Sequence, residues 1–125
     1  MEREAFSVME KKVEWTMLLA FYGDMLTDNQ REMARLHWEE DLTLAEIAQQ
    51  FSVSRQSVHD TVTRTEKQLE AIEEKLGLLR RDRKRAEDLL SCRQALDQVV
   101  PTPDTEQYLR HARALIASLL DQEDQ

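Results

Sequence analysis

The sequence predicts an all-α protein: a helix-turn-helix bundle with a long heptad-bearing helix and a C-terminal helical extension. Three observations predict it. Two glycines and two prolines in 125 residues leave few helix breakers. Strand-like alternation of Val, Ile, Thr and aromatic residues is absent. The stretch Ile47 to Val58, IAQQFSVSRQSV, carries a short helix between the capping residues Thr43 and Ser54, then a tight turn and the start of a second helix. These signals divide the chain into a helix-turn-helix domain over 5–76 and a helical extension over 77–125 suited to dimerisation or partner binding.

The first helix is expected from Ala5 or Glu10 to Met25. It has two apolar sides. Val13, Met17, Ala20, Phe21 and Met25 form one, and Trp15, Leu18, Leu19, Tyr22 and Leu26 the other. So much apolar surface implies burial on several sides or at a partner interface. Thr27-Asp28-Asn29-Gln30 is a capping box that opens the second helix. That helix carries Met33, Leu36 and His37 or Trp38 inward and ends near Asp41.

Thr43-Leu44-Ala45-Glu46 is a second capping box. The helix it opens has Leu44, Ile47, Ala48 and Phe51 on one face, and the small Ala48 lets the next helix cross closely. The turn carries Ser52 where many such motifs carry glycine, so some backbone strain is expected. Ser54 caps the fourth helix. From Val58, residues Val62, Thr65, Leu69, Ile72, Leu76 and Leu79 follow at heptad spacing. This stripe suits either a core packed on the first helix or a dimer seam, for which Leu69, Ile72, Leu76 and Leu79 are the candidates.

Leu76-Gly77-Leu78 has the form of a glycine C-cap, against a continuous helix that would cost about 1 kcal/mol at Gly77. A further helix is expected over Leu79 to Val99, with Ala86, Leu89, Leu90, Leu96 and Val100 apolar. Val100-Pro101-Thr102-Pro103 breaks it. Thr102 caps a last helix with Pro103 at its first position, and Tyr108, Leu109, Ala112, Leu115, Ile116, Leu119 and Leu120 form its stripe. Asp121 to Gln125 should fray.

The chain is acidic, with a formal net charge of -8, whereas nucleic-acid binders are usually basic. The charge is uneven. Residues 75–85 hold Lys75, Arg80, Arg81, Arg83, Lys84 and Arg85 against one acid, Asp82, a local net of +5. Arg80, Arg81, Arg83, Lys84 and Arg85 are therefore a candidate basic patch for RNA or an acidic partner, or simply a solvated helix start.

In a helix-turn-helix the first residues of the second helix face base edges. Here these are Arg55, Gln56, Ser57, His59 and Asp60. Arginine pairs with guanine in a fork, glutamine with adenine, and serine with base or phosphate. Arg64 and Lys67 lie further along, within reach of phosphate, and each such contact adds salt dependence. Asp60 and Glu66 oppose them.

Enzymatic chemistry is not expected. There is no glycine-rich phosphate loop, no His/Cys set at metal spacing and no nucleophile with an evident base, so neither cofactor nor metal is anticipated. Cys92, the single cysteine, excludes an internal disulfide and suits a reducing cytoplasm, where it reads as a small core residue. No run approaches the ~18 apolar residues of a membrane span, and Met1-Glu2-Arg3-Glu4 is unlike a signal peptide.

Three runs carry a resemblance. Leu26 to Glu32, Thr43 to Ala48 and Val53 to Val58 resemble the DNA-binding region four of bacterial sigma factors. Val13 to Leu79 is similar to the YlxM family, small bacterial helix-turn-helix proteins often encoded beside the signal recognition particle protein. SRQSVHDTVTRTE (Ser54 to Glu66) and LEAIEEKL (Leu69 to Leu76) carry that likeness. It covers a little over half the chain. It implies a sigma-region-four-like fold, a homodimer and a regulatory role linked to the signal recognition particle pathway. Three functions compete: sequence-specific DNA binding as a homodimer, accessory binding to the particle's protein or RNA, and docking onto RNA polymerase or another protein.

Overall fold

Two capping boxes organise the first half of the chain. Thr27 Oγ1 accepts from the Gln30 amide at 3.2 Å while Gln30 Oε1 accepts from the Thr27 amide at 3.1 Å. Thr43 and Glu46 make the same exchange at 3.1 and 3.2 Å. Each box satisfies backbone donors that a helix start otherwise leaves open. In the computed structural model the described residues run from Glu2 to Asp121, with side chains from Lys11 onward. They form α1 (Glu2–Tyr22), a 3-10 turn (Gly23–Met25), α2 (Asp28–Trp38), α3 (Leu44–Phe51), α4 (Arg55–Leu76), α5 (Leu78–Asp97) and α6 (Glu106–Asp121). No strand occurs among the described residues, as the all-α reading requires.

The chain divides into two compact units, one ending at Leu79 and one beginning at Arg80. In the first, α1 buries one of its two apolar sides. Leu18, Leu19, Tyr22 and Leu26 enter the core, and Trp15 stacks on Trp38 with centroids 5.6 Å apart. They meet Met33, Ala34, Leu36 and Trp38 of α2, Ile47 and Ala48 of α3, and Val58, Val62 and Leu69 of α4. Two polar residues share this core without loss. The Gln30 amide donates to Gln68 at 3.1 Å, tying α2 to α4, and the Thr65 hydroxyl donates to the Thr61 carbonyl at 2.8 Å. Thr65, the polar step in the heptad stripe, is thus satisfied within its own helix.

Of the two expectations for that stripe, most of it packs as core within the protomer. Leu69 is fully buried and Leu79 nearly so, both inside the protomer's own core, and Ile72 packs against the same cluster. Leu76 is more exposed, at 42%, and ends α4. Gly77 closes that helix in the left-handed region at φ 65°, with its amide donating to the Glu73 carbonyl at 2.7 Å, so the helix does not continue.

Tyr22 anchors the start of α5. Its hydroxyl donates to Glu73 at 2.6 Å and accepts from the Leu78 amide at 3.0 Å, while Glu73 also accepts from the Leu79 amide at 3.0 Å. Two of the open amides of α5 are therefore capped by side chains of α1 and α4. Burial, then the bond to Glu73, pushes the Tyr22 phenol above its ordinary pKa. Tyr22→Phe removes a buried donor and acceptor together, and thermal denaturation should show a loss of about 1–2 kcal/mol.

Several ends differ from expectation. α1 gives way to the 3-10 turn at Gly23 because the Leu26 amide closes on the Gly23 carbonyl at 3.1 Å before the Thr27 box begins. α2 stops at Trp38, three residues early, where Asp41 takes a left-handed φ of 59° and pairs with Lys12. α6 starts at Glu106 rather than Pro103. Thr102 closes a turn onto Thr105 first, its carbonyl then accepting from the Glu106 amide at 2.9 Å. The expected fraying beyond Asp121 lies outside the described residues.

The second unit is α5 from Arg80 together with α6. Arg113 of α6 donates to the Leu96 carbonyl at 3.3 Å and pairs with Asp97. Only Ile116 is buried among its described residues. Cys92 is exposed, which corrects its reading as a core residue: its turn of α5 lies on the open side of a helix with one covered face.

Candidate nucleic-acid interface

The helix-turn-helix is built by α3, the turn at Ser52 and α4. Ile47 and Val58 are fully buried against each other's helices, and Ala48 is small enough to let α4 cross. Ser52 takes the left-handed conformation, φ 57° and ψ 44°. The Val53 amide returns to the Ala48 carbonyl at 3.0 Å and the Ser52 amide to Gln49 at 3.4 Å, the two bonds of a Schellman motif. The strain expected at Ser52 is present. Ser52→Gly should raise stability by up to about 1 kcal/mol, read as a higher midpoint of denaturation.

Ser54 Oγ accepts from the Ser57 amide at 3.0 Å and opens α4. The first turn of α4 contains no acid. No acid therefore opposes the positive end of the helix dipole within that turn, although the Ser57 amide is already taken by the Ser54 cap. Arg55, Gln56, Ser57 and His59 are all exposed. Arg55, Gln56 and His59 form one wall of an open cleft of about 820 Å³, and Thr43, Leu44 and Ala45 from the start of α3 form the other. Ser57 lies outside that cleft lining. Gln56 Nε2 donates to Asp60 at 2.9 Å, so Asp60, which opposes phosphate electrostatically, also holds the glutamine amide in one orientation. Arg64 and Lys67 are exposed further along α4.

Sequence reasoning identified the wall contributed by α4 and missed the wall contributed by α3. The Thr43 capping box was the available signal, since it places the start of α3 beside the start of α4. A second cleft, of about 350 Å³, was not anticipated. It is lined by Lys11, Lys12, Trp15, His37, Trp38 and Glu66. Burial, reinforced by Glu70, raises the Glu66 pKa against the opposing pull of His37, His59 and Lys11. His37 Nδ1–H donates to the Leu42 carbonyl at 3.0 Å, and of the pair expected inward it is Trp38 that is buried while His37 is half-buried.

The basic patch stands on the first turns of α5, where Arg80, Arg81, Arg83, Lys84 and Arg85 are exposed. Lys84 pairs with Asp88 at 3.0 Å, a bond that raises its pKa. No group of His, Cys, Asp and Glu among the described residues is placed to hold a metal ion. No helix among them is long and apolar enough to cross a membrane.

Known proteins resemble this chain over most of its length. Residues 9–107 match the family described as "Putative helix-turn-helix protein, YlxM / p13 like". The match extends past Leu79, through α5 and into the start of α6, further than the sequence motifs reach. A UPF0122 protein of Halalkalibacterium halodurans is 42% identical over 91 residues, 73% of this chain and 84% of that protein. The UPF0122 protein YofM of Lactococcus lactis is 40% identical over 101 residues, 81% of this chain and 85% of its own. A relative from Geobacillus kaustophilus reaches 46% over 78 residues, 62% of this chain and 71% of that protein.

Proposed function

The chain belongs to the YlxM / p13-like family of helix-turn-helix proteins, and on that premise we propose that it is a cytoplasmic, non-enzymatic DNA-binding regulator acting as a homodimer. The observation that carries the reading is the solvent-open, acid-free first turn of α4 with Arg55, Gln56, Ser57 and His59 exposed on it. Arg55 forks onto guanine O6 and N7 in the major groove, and Gln56, pre-oriented by Asp60, reads adenine. Ser57 and His59 take adjacent base or phosphate positions. Arg64 and Lys67 neutralise phosphate. Two copies present two recognition helices about 34 Å apart, one turn of the duplex.

The overall negative charge makes salt dependence the decisive test. Arg64 and Lys67 from two copies supply four phosphate-directed cations, so raising salt from about 50 to 200 mM should weaken duplex binding roughly a hundredfold. Fluorescence anisotropy on a labelled duplex measures it. Salt-independent binding, or none at 50 mM, removes the DNA reading.

The exposed basic patch supports a second reading, in which the protein binds the signal recognition particle's protein or RNA. Reversing Arg80, Arg81, Arg83 and Arg85 to glutamate separates the two. Unchanged particle binding rejects the second reading, and loss of duplex binding alone favours the first.

A further inference from the structure

Gln56, Asp60, Arg64 and Lys67 follow one another at spacings of four, four and three residues, so they line one row of α4. All four are exposed, and the row lies opposite the buried Val58, Val62, Thr65 and Leu69. Asp60 is the one acid between Arg55 and Thr65. It stands in the middle of a surface that approaches phosphate, where a negative charge weakens contact with any duplex. Its oxygen Oδ1 accepts from Gln56 Nε2 at 2.9 Å. We infer that Asp60 is a positioning residue that acts through Gln56 and sets purine choice, so that the protein takes adenine and rejects guanine at the base Gln56 reads. The inference rests on the DNA reading of this surface and deepens it.

A glutamine amide has no fixed way round of its own. Its oxygen only accepts, its NH2 only donates, and a flip about the last side-chain bond exchanges the two. An ionised carboxylate removes that freedom, because it too only accepts. Nε2 turned to Asp60 makes a hydrogen bond, whereas Oε1 turned to Asp60 sets two acceptors against each other. The Gln56 amide therefore keeps its nitrogen toward Asp60. One N–H is spent there, and the second N–H and Oε1 are left for a base. In water an exposed pair of this kind is weak. Against a docked duplex the water is displaced, and a hydrogen bond to a charged acceptor strengthens.

The two purines answer that arrangement differently. Adenine presents N7 as an acceptor and its N6 amino group as a donor, which match the remaining N–H and Oε1. Guanine presents two acceptors, N7 and O6. Oε1 then faces O6 with no proton between them. A freely turning glutamine escapes by presenting its NH2 to O6. Gln56 cannot do so without turning Oε1 onto the Asp60 carboxylate. One charge thus lowers affinity for every duplex and raises selectivity at one base.

Fluorescence anisotropy of the full chain on duplexes selected by the wild type tests the inference. Gln56→Ala first locates the base pair that Gln56 reads, and duplexes with adenine or guanine there are then compared. The wild type should favour adenine by about tenfold, within the range of a bidentate base contact. Asp60→Asn keeps the size of the side chain but offers a donor beside the acceptor, so the Gln56 amide turns either way. It should cut the preference to about twofold or less. Asp60→Glu remains an acceptor alone and should keep it. Loss of charge by itself would strengthen both duplexes alike, leave their ratio unchanged and so overturn the inference. Loss of the preference in Asp60→Glu, or a Gln56→Ala variant with no altered base preference, also overturns it. In the free protein, Asp60→Ala should move one of the two Gln56 amide proton resonances, and no movement overturns the inference as well. A wild type that binds no duplex removes the DNA reading and this inference with it, whereas a duplex binder whose adenine preference ignores Asp60 removes this inference alone.

Discussion

Arg55→Ala is expected to weaken binding to the preferred duplex by about 10- to 100-fold for each half-site, with little change in thermal stability. A bidentate arginine contact to guanine is worth about 1–3 kcal/mol of discrimination. Arg55 is exposed and lines the cleft between α3 and α4, so its removal disturbs neither the core nor the Ser54 cap. Discrimination at one base position should vanish while the others persist. Lys67→Ala provides the contrast. It should weaken all duplexes alike and reduce the salt slope by about one per copy removed. Competition binding at fixed salt against single-base variants of the duplex checks both.

Ile47→Ala should have the largest effect on folding. Ile47 is fully buried where α3 meets α4, and truncation leaves a cavity that the two capped helices cannot collapse to fill. Such truncations cost about 2–5 kcal/mol. In a unit of this size the melting temperature should fall by about 10 °C or more. The substitution also loosens the platform that aims Arg55, so duplex affinity should decline with stability. Calorimetry together with binding below the new transition separates the two losses.

The motif half of the fold was legible because its signals are local. Thr27, Thr43, Ser54 and Gly77 cap helices through bonds spanning three or four residues, and spacing alone reveals those. The heptad stripe was legible as apolar but not as to what covers it. A core stripe and a dimer seam share one period, and only the placement of α1, through Leu18 and Tyr22, decides that Leu69 is interior. Cys92 was misread for a related reason. Residue type predicts burial on average, whereas α5 has one covered face and Cys92 lies off it. Spacing named Arg55, Gln56 and His59, which line the α4 wall of the candidate interface, together with Ser57, which does not. The wall from Thr43 to Ala45 arises from the crossing of two helices, which spacing within either helix does not encode.

The acidic composition ceases to be a paradox at the scale of the site. The net charge of -8 belongs to the whole chain, but the first turn of α4 carries no acid, and Asp60 is engaged with Gln56. Long-range repulsion lowers the rate of encounter with DNA more than it weakens the docked contact. Affinity for duplex should therefore be modest and strongly specific in sequence.

Selection of bound duplexes from a randomised pool by the full-length protein tests that claim most directly. The account predicts enrichment of two inverted half-sites centred about 10 base pairs apart. Each should contain a guanine whose preference disappears with Arg55→Ala. Recovery of an unenriched pool, or of a consensus unchanged by that substitution, would contradict it.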